Sequence, residues 1–192
     1  MKYMKKFKEH FSKVPIFTTK DARLFLSESG ASREYCYLLL INLKAKGEIK
    51  RLKNGIYSFH DDPTMAGFAF SPSYHGLQDA LSMLDLWDQE TNTIIITPRK
   101  VRSGMRAAFG EKLFVRRINR KMFFGFESIK YFDHWIQISD VEKTLIDFVY
   151  FEEPLQKEVL EEIKKRLDKK KLIKYLKRCS PWLKKRVKNL II

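Results

Sequence analysis

The dipeptide Asn54-Gly55 is the feature of this sequence that most limits its local fold. It separates two short segments with strand character, Glu48–Leu52 and Ile56–Phe59. Asn-Gly is the strongest short signal for a two-residue hairpin turn, because both central positions of a type I′ turn need a positive φ. The pattern therefore predicts a β-hairpin over residues 48–59.

Polar caps and helix-ending residues mark three helices before this hairpin. These residues are Pro15, Thr18 or Thr19, Gly30, Ser32 and Gly47. Two short helices joined by a tight glycine turn form a helix-turn-helix, and a basic hairpin directly after the last helix has the position of a wing. Residues 1–62 are therefore predicted to form a winged helix-turn-helix that binds double-stranded DNA.

In modules of this kind the third helix enters the major groove, while the wing contacts phosphates or the minor groove. Arg33, near the start of that helix, is placed to read guanine. The predicted DNA-binding residues are Ser32, Arg33, Glu34, Tyr37 and Lys44 on the helix and Lys50, Arg51, Lys53 and Asn54 on the wing. The alternative is that these are ordinary solvated residues, since winged helices also serve as protein-docking modules.

The net charge of +15 and the isoelectric point near 9.7 favour a polyanionic partner. Residues 1–62 hold 13 Lys and Arg against 7 Asp and Glu, and residues 152–192 hold 14 against 6, whereas residues 63–151 are nearly balanced at 11 against 10. The positive charge is therefore concentrated at the two ends of the chain.

One strip within the balanced middle, residues 99–121, is strongly basic, with nine Lys and Arg against Glu111 alone. A second surface for nucleic acid or a partner protein is predicted here. Its residues are Arg99, Lys100, Arg102, Arg106, Arg116, Arg117, Arg120 and Lys121. A solvated loop and hairpin without a partner is the alternative interpretation.

Residues 63–192 are predicted to form an α+β domain rather than an alternating βαβ sheet. After a short linker over residues 60–64, we expect a helix from Ser73 or Tyr74 to Leu86. The expected strands cover residues 93–98, 113–118, 122–126, 128–132 and 135–138. Ser139 is expected to cap a largely buried helix.

A helical tail is predicted from about residue 152, with lysines and arginines alternating with aliphatic residues at helical spacing. A basic amphipathic helix can bind a membrane surface, but docking of its apolar stripe on the domain's own core is the favoured interpretation.

No enzyme, metal site or cofactor is predicted. The four histidines are scattered, so no histidine-based pair is expected, and Cys36 and Cys179 are too isolated for a zinc site. Glu142, Lys143 and Asp147 would suit a catalytic remnant, but a helix-capping acid and a structural ion pair are the preferred interpretation. The absence of an 18-residue apolar run and of a signal peptide predicts a cytoplasmic protein without a membrane partner.

Three sequence motifs follow one another along the chain. The first is Leu39…Leu43…Lys46-Gly47-Glu48-Ile49…Arg51…Gly55-Ile56-Tyr57. The second is Ser71-Pro72-Ser73-Tyr74 running into Ala80-Leu81, and the third is Ile138-Ser139-Asp140-Val141-Glu142-Lys143-Thr144-Leu145-Ile146-Asp147. Together these motifs resemble those of the AbiEi-type antitoxins of type IV toxin–antitoxin systems, although Asp140 and the basic tail depart from the family pattern.

The resemblance implies a transcriptional regulator that represses its own operon, binding inverted repeats near its promoter. It also implies that the protein counteracts a cognate toxin of nucleotidyltransferase type, directly or indirectly. The alternative is a non-catalytic module that binds a protein or RNA through residues 99–121.

Overall fold

In the computed structural model, which describes residues 3–191, the chain starts with three helices and a small sheet. The elements, in order, are α1 (Met4–Phe11), β1 (Phe17–Thr18), α2 (Thr19–Glu28), α3 (Arg33–Ala45), β2 (Lys50–Lys53) and β3 (Ile56–Ser58). The three strands are antiparallel in the order β1-β3-β2. The three helices and the hairpin strands β2 and β3 lie where the sequence predicts them, whereas β1 was not predicted.

The predicted caps account for the ends of these helices. Thr18 and Asp21 form a capping box at α2, in which the Thr18 hydroxyl accepts from the Asp21 amide at 3.1 Å. The Ser32 hydroxyl accepts from the Tyr35 amide at 3.2 Å and so caps α3. Gly47 follows α3 with a φ of +72°, a conformation typical of a residue that ends a helix.

The turn between β2 and β3 differs from the prediction. Gly55 has a φ of +72°, but Asn54 does not have a positive φ, so the turn is not type I′. The register of the pair shifts between Arg51 and Lys53, and this irregularity bends the hairpin in place of the second left-handed residue. The Asn54 side chain accepts a hydrogen bond from Arg51 at 2.7 Å.

Aromatic rings fill much of the first hydrophobic core. Phe7 and Phe11 of α1 lie 5.7 Å and 4.6 Å, centroid to centroid, from Phe17 of β1. Leu39 and Leu43 of α3 belong to the same cluster. Helices α1 and α3 are amphipathic, because these apolar positions recur at helical spacing among lysines and other polar residues.

The segment predicted to be a linker has a structure of its own. The Asp62 side chain caps a short 3-10 helix, Pro63–Met65, which leads into α4 (Ala66–Ala69). Thr64 and Met65 are buried. The first compact unit therefore continues past residue 62 to Phe70, and it also includes Ala107–Lys112.

The second unit comprises Ser71–Arg106 and the chain from Leu113 onward. Its sheet has the strand order β6-β7-β5-β4-β9-β8, with β5–β7 and β4–β9 parallel and β4–β5 and β8–β9 antiparallel. The strands are β4 (Tyr74–His75), β5 (Thr93–Thr97), β6 (Gly104–Ala108), β7 (Glu111–Arg117), β8 (Phe126–Tyr131) and β9 (His134–Ser139). The prediction of an α+β fold is confirmed.

Three local predictions in this unit are wrong. Tyr74 and His75 form a central strand, and the following helix α5 covers only Gln78–Met83, because Leu77 has a φ of +58° that no α-helix can include. Residues 120–122 form a 3-10 helix, so no strand spans 122–126. Helix α6 (Val141–Tyr150) is capped by Asp140 rather than Ser139, since the Asp140 carboxylate accepts from the Lys143 amide at 2.8 Å.

The basic tail packs on the core of the second unit. It forms α7 (Lys157–Arg166), α8 (Lys169–Leu176) and α9 (Pro181–Ile191). Each helix buries two aliphatic side chains, namely Val159 and Ile163, Leu172 and Leu176, and Leu183 and Val187. The prediction that the apolar stripe docks on the protein's own core is confirmed.

Candidate nucleic-acid interface

Helix α3 has one buried face and one exposed face. Cys36, Leu39, Leu40 and Leu43 are buried, as the spacing predicts. The predicted contact residues of this region are all exposed, namely Ser32, Arg33, Glu34, Tyr37 and Lys44. The helix therefore presents a mixed basic and aromatic surface to solvent.

Arg33 contacts the hydroxyl group of Tyr37, and the positive charge of Arg23 also acts on it. The Arg33 guanidinium donates to it at 3.5 Å, and its central carbon lies 5.7 Å from the centroid of the Tyr37 ring. This hydrogen bond, with the positive charges of Arg33 and of Arg23 in α2, lowers the pKa of Tyr37. The cluster joins helices α2 and α3 and concentrates positive charge beside the start of α3.

Sequence reasoning missed three exposed residues on these helices. Leu38 and Ile41 retain 56% and 63% of their maximal exposure, although both are large and apolar. Their positions could have been predicted, because at 3.6 residues per turn they lie opposite Cys36, Leu39 and Leu43. Arg23 had no such signal, since its approach to Tyr37 depends on how α2 packs against α3.

The hairpin residues are on the surface but have local partners. Lys50 Nζ lies 3.4 Å from a carboxylate oxygen of Asp61, and Lys53 Nζ lies 5.7 Å from the centroid of the Phe70 ring. Arg51, as described above, donates to Asn54. The hairpin thus holds its basic side chains in defined positions without burying them.

The basic strip of residues 99–121 is brought together by the sheet of the second unit. Strands β5 and β7 are parallel and in register, with Thr97 opposite Arg117, so both end at the same edge. The residues that follow them are basic, namely Arg99, Lys100 and Arg102 after β5 and Arg120 and Lys121 after β7. The parallel pairing of β5 and β7 therefore places the basic residues that follow the two strands at the same end of the sheet.

Some members of the strip are tied to the fold and others extend from it. Arg99 donates to the carbonyl of Ser71 at 2.9 Å, Arg106 donates to the carbonyl of Arg102 at 2.6 Å, and Arg116 pairs with Glu153. Among residues 3–191, no ion pair involves the exposed residues Lys100, Arg102, Arg117, Arg120 or Lys121. Their charges therefore face solvent.

The carboxylates of α6, weighed above as a catalytic remnant, are enclosed. Lys143 and Asp147 form an ion pair with both side chains fully buried, and Tyr74 donates to the second Asp147 oxygen at 2.8 Å. Burial lowers the pKa of Lys143 and raises that of Asp147. Lys143 and Asp147 thus have the surroundings of a structural ion pair, because both side chains are fully buried and bound to each other.

The first turn of α6 is joined to the tail through further polar contacts. Lys171 of α8 lies 3.0 Å from an Asp140 oxygen and 3.2 Å from a Glu142 oxygen. Tyr175 donates to Asp140 at 2.7 Å. Glu142 also accepts the backbone N–H of Asp168 at 2.8 Å. Both carboxylates are therefore held by groups of α8 and its N-terminal cap, in addition to the Lys143 amide that Asp140 accepts.

One histidine pair was not expected from the sequence. His75 Nδ1 lies 2.7 Å from Asp79 Oδ2, and the same oxygen accepts the Ile94 amide at 2.9 Å. Both side chains are buried. The expectation that the scattered histidines form no histidine-based pair is therefore wrong for His75, because β4 and the start of α5 bring it to Asp79. The pair orders the polar groups between β5 and α5.

Within residues 3–191, no three His, Cys, Asp or Glu side chains are grouped as a metal site would require. No helix in the same part of the chain has the length and apolar composition needed to cross a membrane. No protein-family model and no curated protein matches the sequence.

Proposed function

We propose that this chain is a DNA-binding antitoxin that represses its own toxin–antitoxin operon and counteracts a toxin of nucleotidyltransferase type. In this proposal the first unit is a winged helix-turn-helix that binds inverted repeats near the promoter. The second unit acts on the toxin or on its target, and neither unit catalyses a reaction. The AbiEi-like motifs in the sequence connect the two activities.

The architecture of the first unit supports the DNA-binding half of the proposal. Helix, strand, helix, helix and a two-stranded hairpin follow one another in the order of a winged helix-turn-helix, and the sheet order β1-β3-β2 suits a wing formed by β2 and β3. The short connection at Gly30 between α2 and α3 suits the turn of the motif.

The observation that carries the proposal is the exposed face of α3. Arg33 lies at the N-terminus of α3, and the N-terminal residues of a recognition helix are the ones that contact base edges. Its guanidinium group can donate to the two acceptors of guanine, O6 and N7. The basic hairpin supplies side chains for the flanking phosphates. The contact between Arg33 and Tyr37, four residues apart on the helix, orients this guanidinium at the start of α3.

The test is fluorescence anisotropy of the full-length protein on a duplex from upstream of its own gene and on a shuffled duplex, near physiological salt. We expect binding to the first to be about 100-fold tighter or more, because specific sites exceed non-specific DNA by at least about 10³ in typical regulators. Arg33→Ala should reduce this preference. The double variant Arg51→Ala/Lys53→Ala should weaken binding to both duplexes by the same factor and should make the affinity less dependent on salt concentration.

Lys13→Ala is the matched control, because it removes an exposed positive charge of the first unit outside α3 and the hairpin. It should leave the preference unchanged. Equal and weak binding of both duplexes by the wild-type protein would refute specific regulation.

The antitoxin half is tested in cells. If the gene adjacent to this one encodes a growth-inhibiting nucleotidyltransferase, co-expression of this chain should restore growth. Arg33→Ala should still rescue growth when both genes are expressed from unrelated promoters, because the proposal assigns α3 to DNA alone. Failure of the wild-type chain to rescue growth would refute the antitoxin activity.

A second candidate function is supported by the edge of the second sheet. There the parallel strands β5 and β7 bring together arginines and lysines that face solvent, an arrangement suited to phosphates or to an acidic protein. In this alternative the chain is a non-catalytic module that binds RNA or a partner protein through residues 99–121. Co-purification of RNA or of a partner, without sequence-specific DNA binding, would favour it.

A further inference from the structure

The outward face of α3 carries an apolar pair that neither core packing nor phosphate binding explains. Leu38 and Ile41 are three residues apart and therefore project from the same side of the helix. More than half of each side chain is exposed, and Glu34 lies one turn earlier on the same face. In the proposed complex α3 faces DNA, so these two side chains have to pack against an apolar group of the DNA.

The charges around this pair decide what kind of partner fits. Arg33 and Lys44 flank it on α3, and Arg23 lies nearby on α2. A second copy of the chain docked on this face by two-fold symmetry would bring together two faces that each carry these three basic residues against one Glu34, so that their net positive charges repel. DNA instead offers phosphates to the basic residues and an apolar group within the groove.

That apolar group is the C5 methyl of thymine, the one carbon substituent that a base presents in the major groove. Leu38 and Ile41 are separated along the helix axis by about 4.5 Å, at about 1.5 Å per residue. This separation is close to the spacing of about 3.4 Å between successive nucleotides of one strand. The two side chains can therefore meet methyl groups at neighbouring steps.

We propose that Leu38 and Ile41 are specificity-determining residues that read thymine through its methyl group, so that each half-site carries thymines at two neighbouring steps. The inference rests on the proposed function, in which α3 lies in the major groove. It goes further by naming the base class that the centre of α3 selects, beside the guanine assigned to Arg33.

The experiment first selects duplexes from a random pool with the full-length protein. Each thymine of the enriched duplex is then replaced by deoxyuridine, which removes the methyl group and leaves base pairing intact. We expect about fourfold weaker binding for each contacted thymine, the change that corresponds to one buried methyl or methylene group. Leu38→Ala/Ile41→Ala should bind the thymine and deoxyuridine duplexes almost equally.

Leu24→Ala is the matched control, because Leu24 is a 60% exposed leucine on α2. Like the wild-type protein, this variant should bind more weakly when thymine is replaced by deoxyuridine. Because Leu38 and Ile41 contribute little to the core, the double variant should fold normally, which far-UV circular dichroism verifies.

Three outcomes would overturn the inference, and they are distinguishable. If no duplex is enriched, the proposed DNA-binding function itself fails. If a duplex is enriched but deoxyuridine binds as well as thymine, or the double variant keeps the thymine preference, only the methyl contact fails. If sedimentation shows a wild-type dimer that the double variant loses, with the thymine preference unchanged, the face is a self-association surface.

Discussion

At the scale of single residues, the most demanding feature is the complete burial of Lys143. The loss of hydration of its ammonium group has to be compensated, and Asp147 does this by forming an ion pair. The rings of Tyr74 and Phe124 add cation–π contacts, with centroids 5.3 Å and 5.4 Å from Nζ. Gly125 permits this packing, since a Cβ there would lie 2.8 Å from the Lys143 Cβ. The ion pair is therefore a fixed part of the second core.

Replacing Lys143 with Met should lower the free energy of unfolding by about 3–5 kcal/mol, because it leaves the Asp147 carboxylate buried without its counter-charge. Trp87, Trp135 and Trp182 all lie in the second unit, so tryptophan fluorescence in guanidinium chloride follows the relevant transition. Lys170→Met, at an exposed position of α8, is the control. A loss below about 1 kcal/mol for Lys143→Met would contradict a structural role for the pair.

Tyr175 should make stability depend on pH in the alkaline range. Burial raises its pKa to about 12, assisted by the hydrogen bond to Asp140 and the negative charge of that carboxylate, while Lys171 acts in the opposite direction. A raised pKa means that the protonated phenol is favoured in the folded state. Its contribution is therefore complete below the ordinary pKa of about 10 and is lost as the pH rises through the folded value.

The expected result is that Tyr175→Phe is less stable than wild type at pH 8 and that the difference disappears between about pH 10 and 12. Fluorescence-monitored unfolding of both proteins across this range measures the difference directly. A constant gap between pH 8 and 12 would show that the hydroxyl group of Tyr175 does not stabilise the fold through its proton.

At the scale of elements, local polar signals predicted the helices of the first unit well. Thr18, Ser32 and Gly47 act within their own turns, so their effect can be predicted without knowledge of distant residues. The predictions failed for segments whose secondary structure depends on contacts with residues far away in the sequence. Tyr74 and His75 form a strand because β5 and β9 flank them on both sides, and no neighbouring residue in the sequence indicates this.

The cap of α2 permits a quantitative prediction. Thr18→Ala should destabilise the first unit by about 1 kcal/mol, because it removes the acceptor for the Asp21 amide and one donor to the Asp21 carboxylate. Ser27→Ala, which removes an exposed hydroxyl from the same helix, is the control. Hydrogen exchange of the α2 amides measures the effect, and equal protection in the two variants would contradict it.

At the scale of the whole molecule, the sequence predicts where positive charge is concentrated but not which basic side chains lie together on the surface. Counting residues located the basic strip of 99–121, yet only the parallel pairing of β5 with β7 indicates which of its members extend together into solvent. In the same way, spacing placed Arg33 and Tyr37 on an exposed face of α3. The approach of Arg23 to Tyr37, by contrast, depends on the packing of one helix on another.

The strip should add affinity for nucleic acid without adding sequence preference. We expect Arg102→Ala/Arg117→Ala/Arg120→Ala to weaken binding to specific and shuffled duplexes by the same factor, because phosphate contacts carry no sequence information. The slope of log affinity against log salt should become shallower by up to about three, at about 0.9 per lost contact. An unchanged slope would exclude the strip from DNA binding and leave RNA or a protein as its partner.

The helical tail has a consequence for how its charge acts. Polycationic segments are often disordered arms that must be immobilised when they meet a polyanion, at a cost in conformational entropy. Here Ile163, Leu172 and Val187 anchor the three tail helices in the core, and Lys171 is held by two carboxylates. The helices that carry the remaining lysines are thus ordered in advance, so a polyanionic ligand can engage these lysines without first ordering the backbone of the tail.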